Sequence, residues 1–571
     1  MALEGALSGA LAALWLGLLW YAAPLLAGSS DGIVERLRNA VILGVAAPFL
    51  LGFLHLLYAP LCLGAALGLC LIRRARAPAA GTASAAPGDG WLVAPLLAAA
   101  FAAMPALLQP PLDGDTLIYH LPNAASWARE GSIWVTSTRY WWYPGGSELF
   151  ACGLLTIGAW WSVGISGTLA AALLGMRIAA WAARFGAPPW TGGLLGAAFV
   201  LTPVVAQQSA DLQNDVWLAA FFVESLWCLS ARQSAAASLA LTAMIKPVGW
   251  LFAAIAAFSG RARLRDFVAV VPIALWAIRD AALWRSAAVP PASTWYPWAG
   301  TSIAAHGLAG FGTLAYALWA AGWPVAVWFA LPFAGLCVRA VRVQSLAGVA
   351  AAVLFVLEPF GFASERPQLA SGASLRFAFP EMAVGALVAG ALVARVPVAI
   401  GVAAAATTAW GIVSRTALYW MDTASHLGAP LLAACCGLIA AARGRMRPAA
   451  WGVVAVAMLA TLGYAAASRA VGFYDDALST SAGQRVALFS WLAAHPPRAV
   501  VTDGVRSGAI SMLAHGADVF DTGSMDRCAH ARALGALLVI GPESAQPPAR
   551  GLPAGCGRVL YRDAASVVIA P

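Results

Sequence analysis

The sequence predicts an α-helical polytopic membrane protein with about 13–15 transmembrane segments and a small extracytoplasmic α/β domain at its C-terminus. Three observations predict it. The chain of 571 residues is 61 % hydrophobic and only 10 % charged, with a mean hydropathy of +0.77, whereas soluble chains run about 45–50 % apolar and about 25 % charged. Apolar runs of the roughly 20 residues that span a bilayer recur as far as about residue 467. Beyond that point the composition turns too polar to span.

In chain order, the apolar runs fall at 6–27, 41–72, 91–109, 163–183, 188–207, 213–231, 234–246, 247–260, 266–284, 308–338, 344–363, 376–394, 396–414, 428–442 and 449–467. The first lacks a basic n-region and is too long for a cleaved signal core, so it reads as a retained helix. The runs 234–246 and 247–260 are each too short to span. They meet at Lys246-Pro247 and read as a helix–break–helix whose tip lies inside the protein, where irregular backbone is tolerated at depth. Three regions follow: additional N-terminal helices over 1–90, a membrane core over 91–467 with a long polar loop at 110–148, and a soluble domain over 468–571.

Charge sets the orientation. With the N-terminus cytoplasmic, Arg73, Arg74, Arg76, Arg177, Arg184, Arg232, Arg261, Arg263, Arg265, Arg339, Arg342, Arg395, Arg443, Arg445 and Arg447 all fall inside, as the retention of basic loops requires. The loops at 110–148, 208–215, 286–307, 364–375 and 415–427, with the C-terminal domain, then lie outside. The net charge of +9 reflects this retention. No basic stripe with interleaved aromatics points to nucleic acid.

In the C-terminal domain, 484–497 has helical apolar spacing and stops at a Pro pair, and 498–504 reads as a buried strand. Residues 531–544 read as a helix end, a Gly turn and a strand, and 557–571 as a hairpin. Of the nine cysteines, only Cys528 and Cys556 lie in this polar region. A disulfide between them is the expectation if the region is extracytoplasmic.

The polar residues of the outer loops form a short set. The loop DGDTLIYHLPNAASWAREGSIWVTSTRYWWYPGGSEL (113–149) carries Asp113, Asp115, Tyr119, His120, Arg129, Glu130, Arg139 and Glu148, with Tyr140, Trp141, Trp142 and Tyr143 in a row. Asp215 starts one helix, Lys246 sits at the broken pair, Arg376 starts another helix, and Tyr296 flanks Pro297. Each has a bland reading. An Asp at a helix start is often an N-cap, and a Lys can snorkel. Their gathering on one side favours function, because ionisable groups near spanning segments are costly. Carboxylates beside cations suit attack of a hydroxyl on a sugar whose leaving group is a lipid phosphate. One carboxylate would take the proton, and Lys246 and Arg376 would neutralise the phosphate. The aromatics suit sugar faces or an interfacial belt. His120 reads first as a residue that orients a neighbour, with proton transfer the other reading.

The motifs carry a family resemblance. Asp115 four residues ahead of Tyr119-His120-Leu121-Pro122, then Trp127, Gly131 and Tyr143-Pro144 through Glu148, resemble the first extracytoplasmic loop of bacterial C-type (GT-C) glycosyltransferases. These are related to protein O-mannosyltransferases and to the aminoarabinose transferase of lipid A. LQNDVWLAAFF with Asp215, TAMIKPVGW with Lys246 and LRFAFP with Arg376 resemble three further motifs of one branch. The resemblance spans roughly 91–395. It implies an inverting transferase with Asp115 as base, Lys246 and Arg376 on the donor phosphate, and Asp113, Tyr119, His120, Arg139, Glu148, Asp215 and Tyr296 supporting. The donor would be a polyprenyl-phosphate sugar. The acceptor would be an envelope glycan, a lipid-linked sugar or a protein, at the periplasmic face of the cytoplasmic membrane. Some relatives hold a divalent metal near the loop acid. Asp113 and Asp115 would offer carboxylates to magnesium, calcium or manganese. The chain departs from the pattern in its two extra N-terminal helices and in Asp280 after Arg279, where Asn is the expectation.

Two other readings stand beside it. A transporter or flippase of lipid-linked sugars would share the span and the cations, but transporters show paired broken helices in internal repeats, and one break is evident here. A non-catalytic envelope assembly protein would not need the acidic, aromatic loop.

Overall fold

The computed structural model describes residues 2–26, 32–76, 89–102, 115–136, 138, 140–209, 211–284, 303–304, 307–320, 323–357, 375–393, 488–502, 510–512, 517–521, 527–541, 556–563 and 566–571. The expected spans at 396–414, 428–442 and 449–467 lie outside them, as do Asp113, Arg139 and Tyr296. Among the described residues six helices are long and apolar enough to cross a membrane: Leu3–Leu25, Ile33–Phe53, Trp160–Arg184, Leu264–Trp284, Arg339–Leu357 and Leu375–Leu392.

The N-terminal helices are α1 (Ala2–Ala22), α2 (Ile33–Phe53) and α3 (Ala59–Arg76). The run 41–72 is therefore not one helix. The chain turns between α2 and α3, where His55 takes a left-handed φ of 58° and Pro60 follows. Next come α4 (Val93–Ala102), α5 (Leu121–Glu130), α6 (Gly146–Thr156), α7 (Ile165–Arg184) and α8 (Pro189–Val200). The span read at 188–207 breaks at Thr202-Pro203, because proline cannot continue the hydrogen-bond ladder. A short helix α9 (Pro203–Gln208) follows the break. Helix α6 is buried from Gly146 to Leu155, so it is a core helix.

Helices α10 (Asp215–Ser230), α11 (Ala236–Met244) and α12 (Gly249–Gly260) surround the break at Lys246-Pro247. Then come α13 (Val270–Trp284), α14 (Gly307–Ala320), α15 (Trp323–Gly335), α16 (Arg342–Leu357) and α17 (Phe379–Val393). Within the run 308–338 the described residues are helical over Gly307–Ala320 and Trp323–Gly335. Small residues let helices approach in lipid. Gly175 on α7 faces Gly196 on α8, and a Cβ on either would collide with the other helix's backbone or with Pro95.

The added helices are tied to the core by buried charge. Arg177 on α7 donates to Glu224 on α10 at 2.7 and 3.0 Å and to Glu35 on α2 at 2.9 Å. Arg177 is therefore no loop charge, as the orientation argument had it, but an interior pair. Near the ends of their helices, Arg184 reaches Ser230 Oγ at 2.9 Å, and Arg265 reaches the Arg232 carbonyl at 3.0 Å.

The C-terminal domain is an α/β unit with helix α18 (Leu488–Ala494), strands β1 (Ala499–Thr502) and β2 (Asp518–Asp521), helix α19 (Arg527–Leu534), then β3 (Leu537–Ile540), β4 (Arg558–Arg562) and β5 (Val567–Ala570). The sheet order is β2-β1-β3-β5-β4. β2, β1 and β3 run parallel, and β5 pairs antiparallel with both β3 and β4. β2 was not foreseen, because four residues bounded by aspartates show too little alternation. Cys528 and Cys556 form a disulfide with Cα atoms 5.7 Å apart. β2 lies against α5, which puts the domain on the same side as the polar loop.

Candidate active site

The site grows from a distorted helix start. Residues Thr116–His120 form one π-helical turn, in which the Leu121 N–H bonds the Thr116 carbonyl five residues back. The next residue, Pro122, has no N–H and would crowd a regular ladder, so the wider turn relieves it. The turn carries Asp115 at its start and Tyr119 and His120 at its end. Leu212 N–H donates to Thr116 Oγ1 at 3.2 Å, which brings the start of α10 alongside.

Four charged side chains from four segments meet here. Arg376 donates through Nη2 to Asp115 Oδ2, a pairing across 261 residues of chain, and through Nη1 to Gln213 Oε1 at 3.0 Å. Its Nε lies 3.8 Å from Asp215 Oδ2. Lys246 Nζ sits 2.5 Å from the other Asp215 oxygen. The Phe377 ring lies beside both cations, 4.6 Å from Lys246 Nζ and 4.8 Å from the Arg376 guanidinium. Asp215 and Lys246 are buried, but the Asp115 side chain is 32 % exposed. A solvent-reachable carboxylate therefore sits over two cations and a buried carboxylate. The helix break sets Lys246 here: Asn214 Nδ2 bonds the Ile245 carbonyl at 3.2 Å and holds the broken turn to the start of α10.

A second group flanks the first. His120 Nδ1 lies 2.5 Å from Glu148 Oε1, and Ser147 Oγ donates to Glu148 Oε2 at 2.7 Å. Glu148 thus holds the buried histidine through Oε1, while Ser147 fixes the carboxylate through Oε2. Tyr119 stacks near His120 at 3.9 Å between ring centroids and packs against Tyr140 and Tyr143 at 5.1 and 6.3 Å. Burial pushes the Tyr119 hydroxyl well above the usual tyrosine range; the charge of Asp115 adds to the push and Arg376 opposes it. Tyr119 therefore stays neutral beside the carboxylates.

The aromatic loop is held from outside the motif. Arg279 on α13 is fully buried and donates to the carbonyls of Ile133, Trp141 and Val135 at 2.8, 3.0 and 3.3 Å. Asp280 takes a fourth bond at 2.6 Å. Next to Trp141, Tyr140 adopts φ 56°, a left-handed conformation that costs a non-glycine residue about 1–3 kcal/mol and survives only where its surroundings hold it. Gly131, at φ 64°, ends α5 where such an angle is free of strain.

The structure thus brings together Asp115, Tyr119, His120, Glu148, Asp215, Lys246 and Arg376 from the expected set. Gln213 and Phe377 were missed; nothing in their spacing separates them from ordinary helix-start residues. Arg279 stood out only as the neighbour of an unexpected Asp. Among the described residues no group of three or more His, Cys, Asp or Glu side chains comes together to hold a metal ion.

No family model matches the chain, and no curated protein matches it. Among solved structures it is similar to the crystal structure of ArnT from Cupriavidus metallidurans bound to undecaprenyl phosphate, with 15 % sequence identity, 84 % of this chain and 98 % of that one covered, and a TM-score of 0.46. At that distance the likeness bears on neither fold nor chemistry, both of which rest on the chain's own residues. Those residues can receive a proton at Asp115 and balance an anion at Arg376 and Lys246, which lie within one cluster of side chains.

Proposed function

We propose that this chain is an inverting glycosyltransferase of the bacterial cytoplasmic membrane. It takes a sugar from a polyprenyl phosphate at the outer face and passes it to an envelope glycan, a lipid-linked sugar or a protein. The observation that carries the proposal is the convergence of Asp115, Asp215, Lys246 and Arg376. A donor phosphate brings charge that competes for Arg376 and Lys246. As Arg376 turns to the phosphate, Asp115 loses its partner and is free to act as a base.

The acceptor hydroxyl oxygen then bonds the anomeric carbon from the face opposite the phosphate. The anomeric carbon–oxygen bond breaks, its electron pair leaves on the phosphate, and the hydroxyl proton passes to Asp115. One displacement inverts the anomeric centre. Arg376 grips phosphate as a bidentate fork and Lys246 as a point charge. Asp215 holds both cations in place. Asp113 and Asp115 are the residues that would hold a divalent cation, which would supply further positive charge to the leaving phosphate.

The test is transfer of radiolabelled sugars from a panel of polyprenyl phosphates into envelope extract by the purified chain in lipid. Asp115→Asn is expected to lower the rate by about 10²–10⁴-fold, the usual weight of a positioned base, with unchanged folding. Full transfer by that variant would sink the proposal. Label that crosses sealed vesicles equally with both proteins, without transfer, would favour a transporter. Loss of transfer on chelation, restored by manganese, supports the cation; transfer unaffected by chelation removes it.

A further inference from the structure

The C-terminal domain holds a cavity that the reaction above does not use. It has a volume of about 660 Å³ and is lined by Trp491, His495, Arg498, Leu537, Arg558 and Leu560, among others. That volume lies within the range of small-ligand clefts, about 300–1,000 Å³. It lies where α18 ends against the starts of β1, β3 and β4, whereas β2, across β1, lies against α5.

Its walls combine two chemistries. The first is a set of ring faces. Trp491 stacks on His495 with centroids 4.6 Å apart and planes 17° from parallel; Tyr561, which does not line the cavity, packs 5.6 Å from Trp491 and supports it. His495 is fixed by its own helix: Nδ1 donates to the Trp491 carbonyl at 3.0 Å, so Nε2 is the ring's second polar atom. Pro496 and Pro497 then stiffen the path into β1. The second is uncompensated positive charge. Arg498 and Arg558 are both exposed, no acidic residue lines the cavity, and neither guanidinium has a carboxylate partner among the described residues.

Ring faces receive the apolar face of a pyranose, and guanidinium forks receive carboxylate or phosphate in a planar, bidentate manner. We propose that this cavity is a second binding site, for a saccharide that carries an anionic group. Under the transferase reading, on which this role rests, it recognises an acidic acceptor glycan and holds it beside the catalytic face. A membrane surface would use the same charges, but it would be met by a flat or convex patch. These arginines border a concave site backed by stacked rings.

The test uses the full chain in lipid nanodiscs and direct binding by calorimetry. The probes are a uronic-acid trisaccharide, its neutral counterpart and inorganic phosphate. The acidic trisaccharide is expected to bind, and the double variant Arg498→Ala/Arg558→Ala to weaken it by about tenfold or more, as loss of charge-assisted bonds requires. Both arginines are exposed, so the variant is expected to fold as the wild type does. Trp491→Phe, which keeps a ring, is expected to retain most of the affinity. Equal affinity for the neutral sugar, unchanged binding by the double variant, or phosphate competing as well as the acidic sugar would overturn the proposal. So would variants that lose only their attachment to anionic vesicles. Asp115→Asn separates the two readings. It is expected to bind the trisaccharide normally. If it also transfers normally, the transferase reading falls and the binding site stands.

Discussion

Asp215 is the residue on which the charge balance of the site turns. It is buried and touches Lys246 directly, with Arg376 at longer range. Removing one partner from a buried pair leaves an uncompensated charge and costs about 3–5 kcal/mol. Lys246→Met is therefore expected to destabilise the protein by about that amount, and adding Asp215→Asn to recover much of it, because the orphaned charge goes too. Thermal or denaturant unfolding of the two single variants and the double variant measures the coupling; strictly additive effects would show that the pair is not linked as described. Tyr119 supplies a pH test. Its folded pKa is raised by burial, so its contribution to stability is fully present below the ordinary tyrosine value of about 10 and is lost as pH rises from there toward the raised folded value. Tyr119→Phe is expected to flatten the alkaline fall in melting temperature. A fall of the same steepness in wild type and variant would refute it.

At the scale of elements, the loop between α5 and α6 takes its shape from α13. Three of its carbonyls point at one buried guanidinium, and no helix or strand satisfies them. Arg279→Lys keeps the charge but offers a single ammonium in place of the planar fork. It is expected to cost about 3 kcal/mol, since buried carbonyls would lose charged donors. It should also raise proteolytic cleavage within 131–145. Because the loop carries Tyr140 and Tyr143 against Tyr119, activity should fall with it. Unchanged protease resistance would mean that other contacts hold the loop. The sequence showed the loop's charges and aromatics plainly, yet gave little sign of its anchor. A lone Arg within an apolar helix looks the same whether it snorkels or binds backbone.

For the whole molecule, the C-terminal sheet and the polar loop face each other, with β2 against α5. The disulfide between Cys528 and Cys556 closes 28 residues of this domain. Chain-entropy reasoning gives such a closure about 3–4 kcal/mol. Reduction, or Cys528→Ser, is expected to lower the unfolding temperature of the C-terminal domain while the membrane helices remain folded. Hydrogen exchange resolved by segment would detect this, and a uniform loss of protection throughout the chain would contradict it. The network of Glu35, Arg177 and Glu224 works at the same scale, because it fastens the N-terminal helices to the core with charge that no lipid-facing position would tolerate.

By itself the sequence determined that the chain lives in a membrane, where along the chain the polar loop falls, and that a small α/β unit follows. Composition and local periodicity carry that information, because hydrophobic length and charge bias act on each segment separately. It also marked Asp115, Asp215, Lys246 and Arg376 as costly residues in need of a reason. Only the tertiary structure decided how they pair: that Arg376 lies on Asp115, that Lys246 lies on Asp215, that Glu148 is spent on His120, and that Arg177 is interior. It also decided that 41–72 turns midway, and that a four-residue strand completes the sheet. These are contacts between segments up to 261 residues apart. Such contacts depend on how helices pack against one another, and the order of residues along any one helix is compatible with many packings.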